Sequence, residues 1–226
     1  MSRISIILGV VGFSLVMAFG GSVKYGGKTY KTVKIGEQVW MAENLNYNAE
    51  GSKCYDNKPE NCVKYGRLYN WATAMKLELS CNSNTCSDKV QLKHQGRCPS
   101  GWHIPNSIEW DKLFHYADGT KGAESPYDSP TAGKYLKSIT NWTNCGISGS
   151  SSSYVCEDAY GFSALPGGYS TPDDSFNLIG SYGGWWTANE ISSDLTYFRG
   201  MGYFGERAYQ LNGIKIYLFS VRCVKD

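Results

Sequence analysis

The chain has 226 residues, 42% hydrophobic and 19% charged, which allows a sizeable core and excludes the disordered and fibrous classes. Its net charge is +2 and its basic residues are scattered, so the sequence carries no nucleic-acid footprint.

Residues 1–18 read as a secretory leader. Arg3 supplies a short positive region, residues 4–16 are apolar with only Ser and Gly interrupting, and Val16-Met17-Ala18 offers small-enough residues at the cleavage positions. Cleavage is expected after Ala18, with Gly20 or Gly21 as rivals, and leaves 21 basic against 20 acidic residues. The run is short for a bilayer span, so contact with a membrane is expected only through an uncleaved leader. No cysteine adjoins it, which argues against a lipoprotein anchor.

Residues 28–35 alternate like a strand, Gly36-Glu37 can turn, and residues 38–42 return as the partner. A polar loop with Cys54 and Cys62 follows. Leu68, Trp71, Ala72 and Met75 then keep helical spacing and give a first helix, and residues 79–96 are polar and cysteine-punctuated, as in a surface excursion.

The most specific stretch is residues 98–113. Pro99 and Gly101 fix a turn, and Pro105 pushes His103-Ile104 towards extended geometry. Asn106 and Glu109 have capping-box spacing, so a second helix should begin at about Ser107. Trp110, Leu113, Phe114 and Ala117 form its apolar stripe. Trp40, Trp71, Trp102 and Trp110 are assigned to the core.

Residues 118–160 are rich in Gly, Ser, Thr and Asp, including the run 148–153, and should form long surface loops. Residues 161–169 read as a short strand ending in a glycine turn. Gly183-Gly184-Trp185-Trp186 reads as a strand with one indole on each face. Asn212-Gly213, between residues 208–211 and 214–221, is a strong hairpin signal, and the chain should end in the sheet.

The chain holds eight cysteines, all beyond the leader, which fits four disulfides and an oxidising compartment. Short spacing favours Cys54 with Cys62, Cys81 with Cys86 and Cys145 with Cys156, leaving Cys98 with Cys223. Eight cysteines allow on the order of a hundred connectivities, so this pairing rests on economy. Zinc is disfavoured because His94, His103 and His115 lack ligand spacing and no Cys-x-x-Cys occurs. Strands at both ends with two early helices predict an α+β domain over residues 19–226 whose termini share one antiparallel sheet.

Several ordered motifs then carry a resemblance: Trp40-Met41-Ala42-Glu43-Asn44-Leu45, Tyr65-Gly66-Arg67-Leu68-Tyr69-Asn70-Trp71, Cys98-Pro99-Ser100-Gly101-Trp102-His103-Ile104-Pro105, residues 161–168, and Val221-Arg222-Cys223-Val224. From about Gly27 to Asp226 the chain resembles the Fibrobacter succinogenes major paralogous domain family. That family is similar to the formylglycine-generating-enzyme and C-type-lectin-like fold, which implies two helices, a terminal-strand sheet and a loop-rich second half. The resemblance implies an exported or cell-surface protein and brings no defined activity.

Function is therefore argued from sites. A formylglycine-generating oxidase would need a reactive, copper-holding cysteine pair near its C-terminal end, where only Cys223 lies, so at most a relative with lost activity is expected. Ser107, His103 and Asp111 lie too close in one turn to make a triad, and no catalytic residue is assigned. For binding, Tyr182, Trp185, Trp186, Tyr197, Phe198, Tyr203 and Phe204 supply rings able to stack on sugars or anchor a protein interface, although at least one of the paired tryptophans should be core. Asp173, Asp174, Asn177, Asn189, Glu190 and Asp194 are oxygen donors where a lectin-like fold would hold Ca²⁺. The Glu-Pro-Asn or Gln-Pro-Asp tripeptide of sugar-binding lectins is absent, Thr171-Pro172-Asp173 matching only half, so solvated loop acids are the preferred reading and no metal or cofactor is assigned. Arg222 is expected to pair with a carboxylate. The resulting expectation is a non-catalytic, secreted or surface domain that binds a polysaccharide or surface glycan through Tyr182, Trp185, Trp186, Asn189, Glu190 and Tyr203. A structural or interaction module bound to an envelope protein is the alternative.

Overall fold

The structure, a computed structural model, describes residues 20–119, 128–146 and 154–226. The leader and the serine-rich run at 148–153 lie outside the described residues.

Three strands open the described chain, β1 (Gly21–Tyr25), β2 (Lys28–Ile35) and β3 (Gln38–Met41). Gly26 and Gly27 both have positive φ (57° and 78°), as a two-residue primed turn requires, so β1 folds back on β2. The sequence reading missed β1 because Val23 and Tyr25 are its only half-buried side chains. β2 and β3 pair in the expected register, with Val33 opposite Trp40.

Four α-helices occur among the described residues, where two were expected: α1 (Pro59–Tyr65), α2 (Trp71–Met75), α3 (Ser107–Asp118) and α4 (Ala132–Leu136). α1 begins on Pro59, whose missing N–H costs nothing at a helix start. It buries only Cys62 and Tyr65, so no apolar stripe betrayed it. α3 matches its expectation residue by residue. Asn106 Oδ1 accepts from Glu109 N at 3.0 Å, Glu109 Oε2 accepts from Asn106 N at 2.9 Å, and Trp110, Leu113, Phe114 and Ala117 are its buried face.

The two-residue strand β4 (Trp102–His103) precedes α3. The later strands are the short parallel pair β5 (Cys145–Gly146) and β6 (Tyr154–Val155), the short pair β7 (Tyr169–Ser170) and β8 (Phe176–Asn177), the long strands β9 (Tyr182–Glu190), β10 (Leu195–Gly202) and β11 (Ala208–Ile214), and finally β12 (Val224–Lys225). The main sheet runs β1-β2-β3-β12-β4, so the two ends of the described chain do meet in it. A second sheet runs β11-β10-β9. The architecture is thus mixed α and β, built on antiparallel sheets.

Three expectations fail in the second half. Residues 118–160 are not only surface loops, since α4, β5 and β6 lie among them and Ala132, Leu136, Trp142 and Cys156 are buried in the core. Asn212-Gly213 makes no hairpin, because β11 runs straight through it beside β10. A Cβ on Gly213 would lie 2.8 Å from the Phe198 ring and 2.9 Å from the Trp186 ring, so the glycine makes room for rings inside a strand. Residues 161–169 form no continuous strand. Ala164 bridges Lys137 and Gly168 bridges Gly183, while Tyr169 already belongs to β7, and ahead of them the carbonyls of Phe162 and Ser163 accept from Arg222.

β9 divides the core. Trp185 packs on one face with Trp40, Trp110, Phe114 and Phe162, and Trp186 packs on the other with Tyr69, Trp71 and Phe219. Trp40, Trp71 and Trp110 are fully buried and Trp102 is nearly so, as assigned. All four proposed disulfides form, Cys54–Cys62, Cys81–Cys86, Cys98–Cys223 and Cys145–Cys156, and no cysteine is left free.

Buried His103 ties the C-terminal strand to α3. Its Nδ1 meets Asp226 Oδ1 at 2.6 Å and its Nε2 meets Glu109 Oε1 at 2.7 Å. Two ionised acceptors require both ring nitrogens to carry protons. Burial opposes that charge, but the hydrogen bonds and charges of Glu109 and Asp226 outweigh it and raise the imidazole above its ordinary value. A raised folded pKa stabilises fully below the unfolded value of about 6.5 and is lost as pH rises through the folded one. Urea midpoints of wild type should therefore fall relative to those of His103→Gln as pH rises above about 6.5, and parallel profiles would refute the ion triad.

Candidate ligand-binding site

The site follows from side-chain alternation in β9 and β10. Tyr182, Gly184 and Trp186 share one face of β9, and Gly202, Gly200 and Phe198 stand opposite them on β10. Glycine at 184 lets Phe219 lie against the strand, since a Cβ there would be 2.6 Å from its ring. Glycine at 200 likewise admits the Tyr182 hydroxyl and the Tyr209 ring, 2.6 Å from a Cβ. Rings from distant segments therefore lie close over this face.

They enclose a cavity of about 300 Å³. Its aromatic walls are Tyr169, Tyr182, Phe198, Tyr217 and Phe219, with Leu178 and Ile214 at its edge. Phe198 and Phe219 stack at 4.4 Å between centroids, and Tyr169 stacks on Phe219 at 5.6 Å and lies parallel to Tyr217 at 6.3 Å, 6° between planes. Trp186 buttresses this from below, edge-on to Phe219 at 4.8 Å. No charged residue lines the cavity. Burial, then the neighbouring Tyr209, push the Tyr182 hydroxyl far above the ordinary phenol value, so it stays protonated.

Of the residues singled out in the sequence, Tyr182 and Phe198 belong to this cavity. Trp185 and Trp186 do not reach a ligand, because both are fully buried, their indole N–H groups donating to Asn44 Oδ1 at 2.9 Å and to the Tyr69 carbonyl at 2.6 Å. The paired indoles face opposite sides, as expected, but each side is a core. Asn189 and Glu190 are committed elsewhere. Asn189 Oδ1 accepts from Ser107 N at 2.6 Å at the start of α3, while Glu190 binds Cys86 N and the buried ammonium of Lys215. Tyr203 is more than a third exposed beside the exposed Phe204 in the β10–β11 turn, outside the cavity.

The acids weighed for calcium are dispersed. Asp173 accepts from Thr171 and Ser175, Asp174 pairs with Lys53, and Asp194 accepts from Ser192 at 2.9 Å. Among the described residues no cluster of three or more His, Cys, Asp or Glu is placed to hold a metal. Ser107, His103 and Asp111 form no triad, since carboxylates occupy both His103 nitrogens and Asp111 pairs with Arg199 at 2.8 Å.

Sequence reasoning missed Tyr169, Tyr217 and Phe219. The Gly168–Gly183 and Ser170–Leu218 bridges deliver them to the site, and nothing local foretells such pairings. The visible signal was the repeated small-residue pattern Gly167-Gly168 and Gly183-Gly184 next to aromatics, which marks close backbone approach.

Residues 33–225 match the family model of the Fibrobacter succinogenes major domain. The chain belongs to this family. No curated protein and no solved structure matches it. In this Fibrobacter succinogenes major domain, the matched span includes every wall of the cavity and all four disulfides. No helix among its described residues is long and apolar enough to cross a membrane, and four disulfides are consistent with an extracellular setting.

Proposed function

We propose that this domain is an exported, non-catalytic, lectin-like binding module that takes sugar rings of a polysaccharide or surface glycan into the Tyr169–Tyr217 cavity. The observation that carries the reading is the cavity itself, aromatic, uncharged and open at Leu178 and Ile214. Sugar rings present apolar C–H faces to aromatic planes and hydroxyls at their rim, and tyrosines meet both. Rings already packed on one another lose little freedom on binding. The leader favours export and the disulfides favour an oxidising destination.

A protein partner from the envelope is the second reading. Leu178 (51% exposed) and Ile214 give the cavity an apolar margin that would suit one.

Binding of the oxidised protein to a glycan array and to insoluble cellulose, with calcium and with chelator, decides between them. Tyr217→Ala should fold and lose at least tenfold in glycan affinity, and chelator should change nothing. A folded wild type that binds no glycan refutes the sugar reading and makes the apolar margin the better lead.

A further inference from the structure

We infer that the site does not end at the cavity but continues along β10 to Phe204, so that it reads an extended, neutral glycan chain across several rings and not a single terminal sugar. This inference rests on the proposed saccharide binding.

Three successive same-face positions of β10 carry it: Gly202, Gly200 and Phe198. The Phe204 ring lies over Gly202, where a Cβ would come within 2.6 Å of it. Tyr182 and Tyr209 cover Gly200, and Phe198 is a wall of the cavity. Same-face positions on a strand recur every 6.6 Å or so, which places the Phe204 end roughly 13 Å from the Phe198 end. One pyranose cannot touch both ends. A chain of several can, provided that it runs as straight as the strand beneath it, as equatorially 1,4-linked sugars do.

Phe204 is built to be presented. It is 59% exposed, the highest of any aromatic ring among the described residues, yet its turn is held from beneath. The ammonium of buried Lys137 donates to the carbonyls of Gly202 and Gly205, and Tyr203 N donates to Ser181 O at 2.9 Å. An exposed apolar ring on a tethered turn keeps its position before the ligand arrives, which lowers the ordering cost of binding. Of the nearby charges, Lys137 is turned inward, Arg207 pairs with Asp128 at 3.0 Å at the surface, and half-buried Glu206 disfavours an acidic chain, so the tract suits a neutral one.

The test is calorimetric titration of the oxidised protein with β-1,4-linked gluco-oligosaccharides of two to six rings, on wild type, Phe204→Ala, Phe204→Trp and Tyr217→Ala. Wild-type affinity should rise with length. Phe204→Ala should lose about tenfold for the longest chain and nothing for the disaccharide, an aromatic contact being worth on the order of 1 kcal/mol. Phe204→Trp should keep the length dependence, and Tyr217→Ala should weaken every length. If Phe204→Ala binds the longest chain as wild type does, while Tyr217→Ala still fails, the extension is overturned and the cavity reading survives. If no length binds wild type, both fall.

Discussion

Replacing Arg222 with methionine should cost about 4 kcal/mol of stability, because it removes the one cation that several buried backbone segments share. Arg222 is fully buried just before Cys223. Its guanidinium donates to the Met41 carbonyl at 3.1 Å, to Asn44 Oδ1 at 2.7 Å, and to the carbonyls of Phe162 and Ser163, and it lies 4.4 Å from the Phe162 ring centroid. The sequence suggested a carboxylate partner. Among the described residues no salt bridge forms there, and neutral oxygens take the five donors instead. Methionine would fill much of the space yet leave the Met41, Phe162 and Ser163 carbonyls dry, and each orphaned acceptor costs about 1–3 kcal/mol. Asn44 would suffer less, since Trp185 still donates to its Oδ1. With a urea m-value of about 2 kcal/mol/M the midpoint should fall by about 2 M. Arg222→Lys keeps the charge but not the planar fork and should fall between. A loss below about 1 kcal/mol for the methionine variant would mean that water or a neighbour replaces the fork.

What the sequence made legible follows from how far apart the interacting groups are. The capping box of α3 involves residues three apart, and its apolar stripe repeats on one element, so both could be read directly. The local disulfides were legible because each closes a short loop, and Cys98–Cys223 then followed by elimination. The aromatic cavity was not. Its walls come from β7, β9, β10 and the segment after β11, and only tertiary pairing of Gly168 with Gly183 and of Ser170 with Leu218 assembles them. Asn212-Gly213 misled because glycine serves turns and close ring packing alike, and only the ring arriving from Phe198 decides which. Trp185 and Trp186 misled for a related reason. Large aromatics serve cores and sugar sites equally well, and a strand with a packed cluster on each face leaves neither indole free.

The Cys98–Cys223 bridge should contribute more than any other disulfide, nearly 5 kcal/mol on the chain-entropy account, against about 2 kcal/mol for Cys81–Cys86. The two bridges span 125 and 5 residues of sequence respectively. Both atoms of the long bridge lie in the core, between the turn before β4 and the start of β12. In the folded protein that junction has other ties: Val224 pairs with both Trp40 and His103, Met41 N donates to Cys223 O at 3.0 Å, and Asp226 reaches His103. The native fold therefore does not depend on the bridge for geometry, and its removal acts chiefly by freeing the unfolded chain. Double substitution of Cys98 and Cys223 by alanine should accordingly lower the denaturation midpoint strongly, raise the m-value as the unfolded ensemble expands, and leave ligand affinity intact below the transition. The Cys81 and Cys86 double variant should show a smaller stability loss and an unchanged m-value. Equal losses from the two pairs would overturn the entropic account and place the stabilisation in native packing around the sulfurs, where the two bridges are alike in being buried.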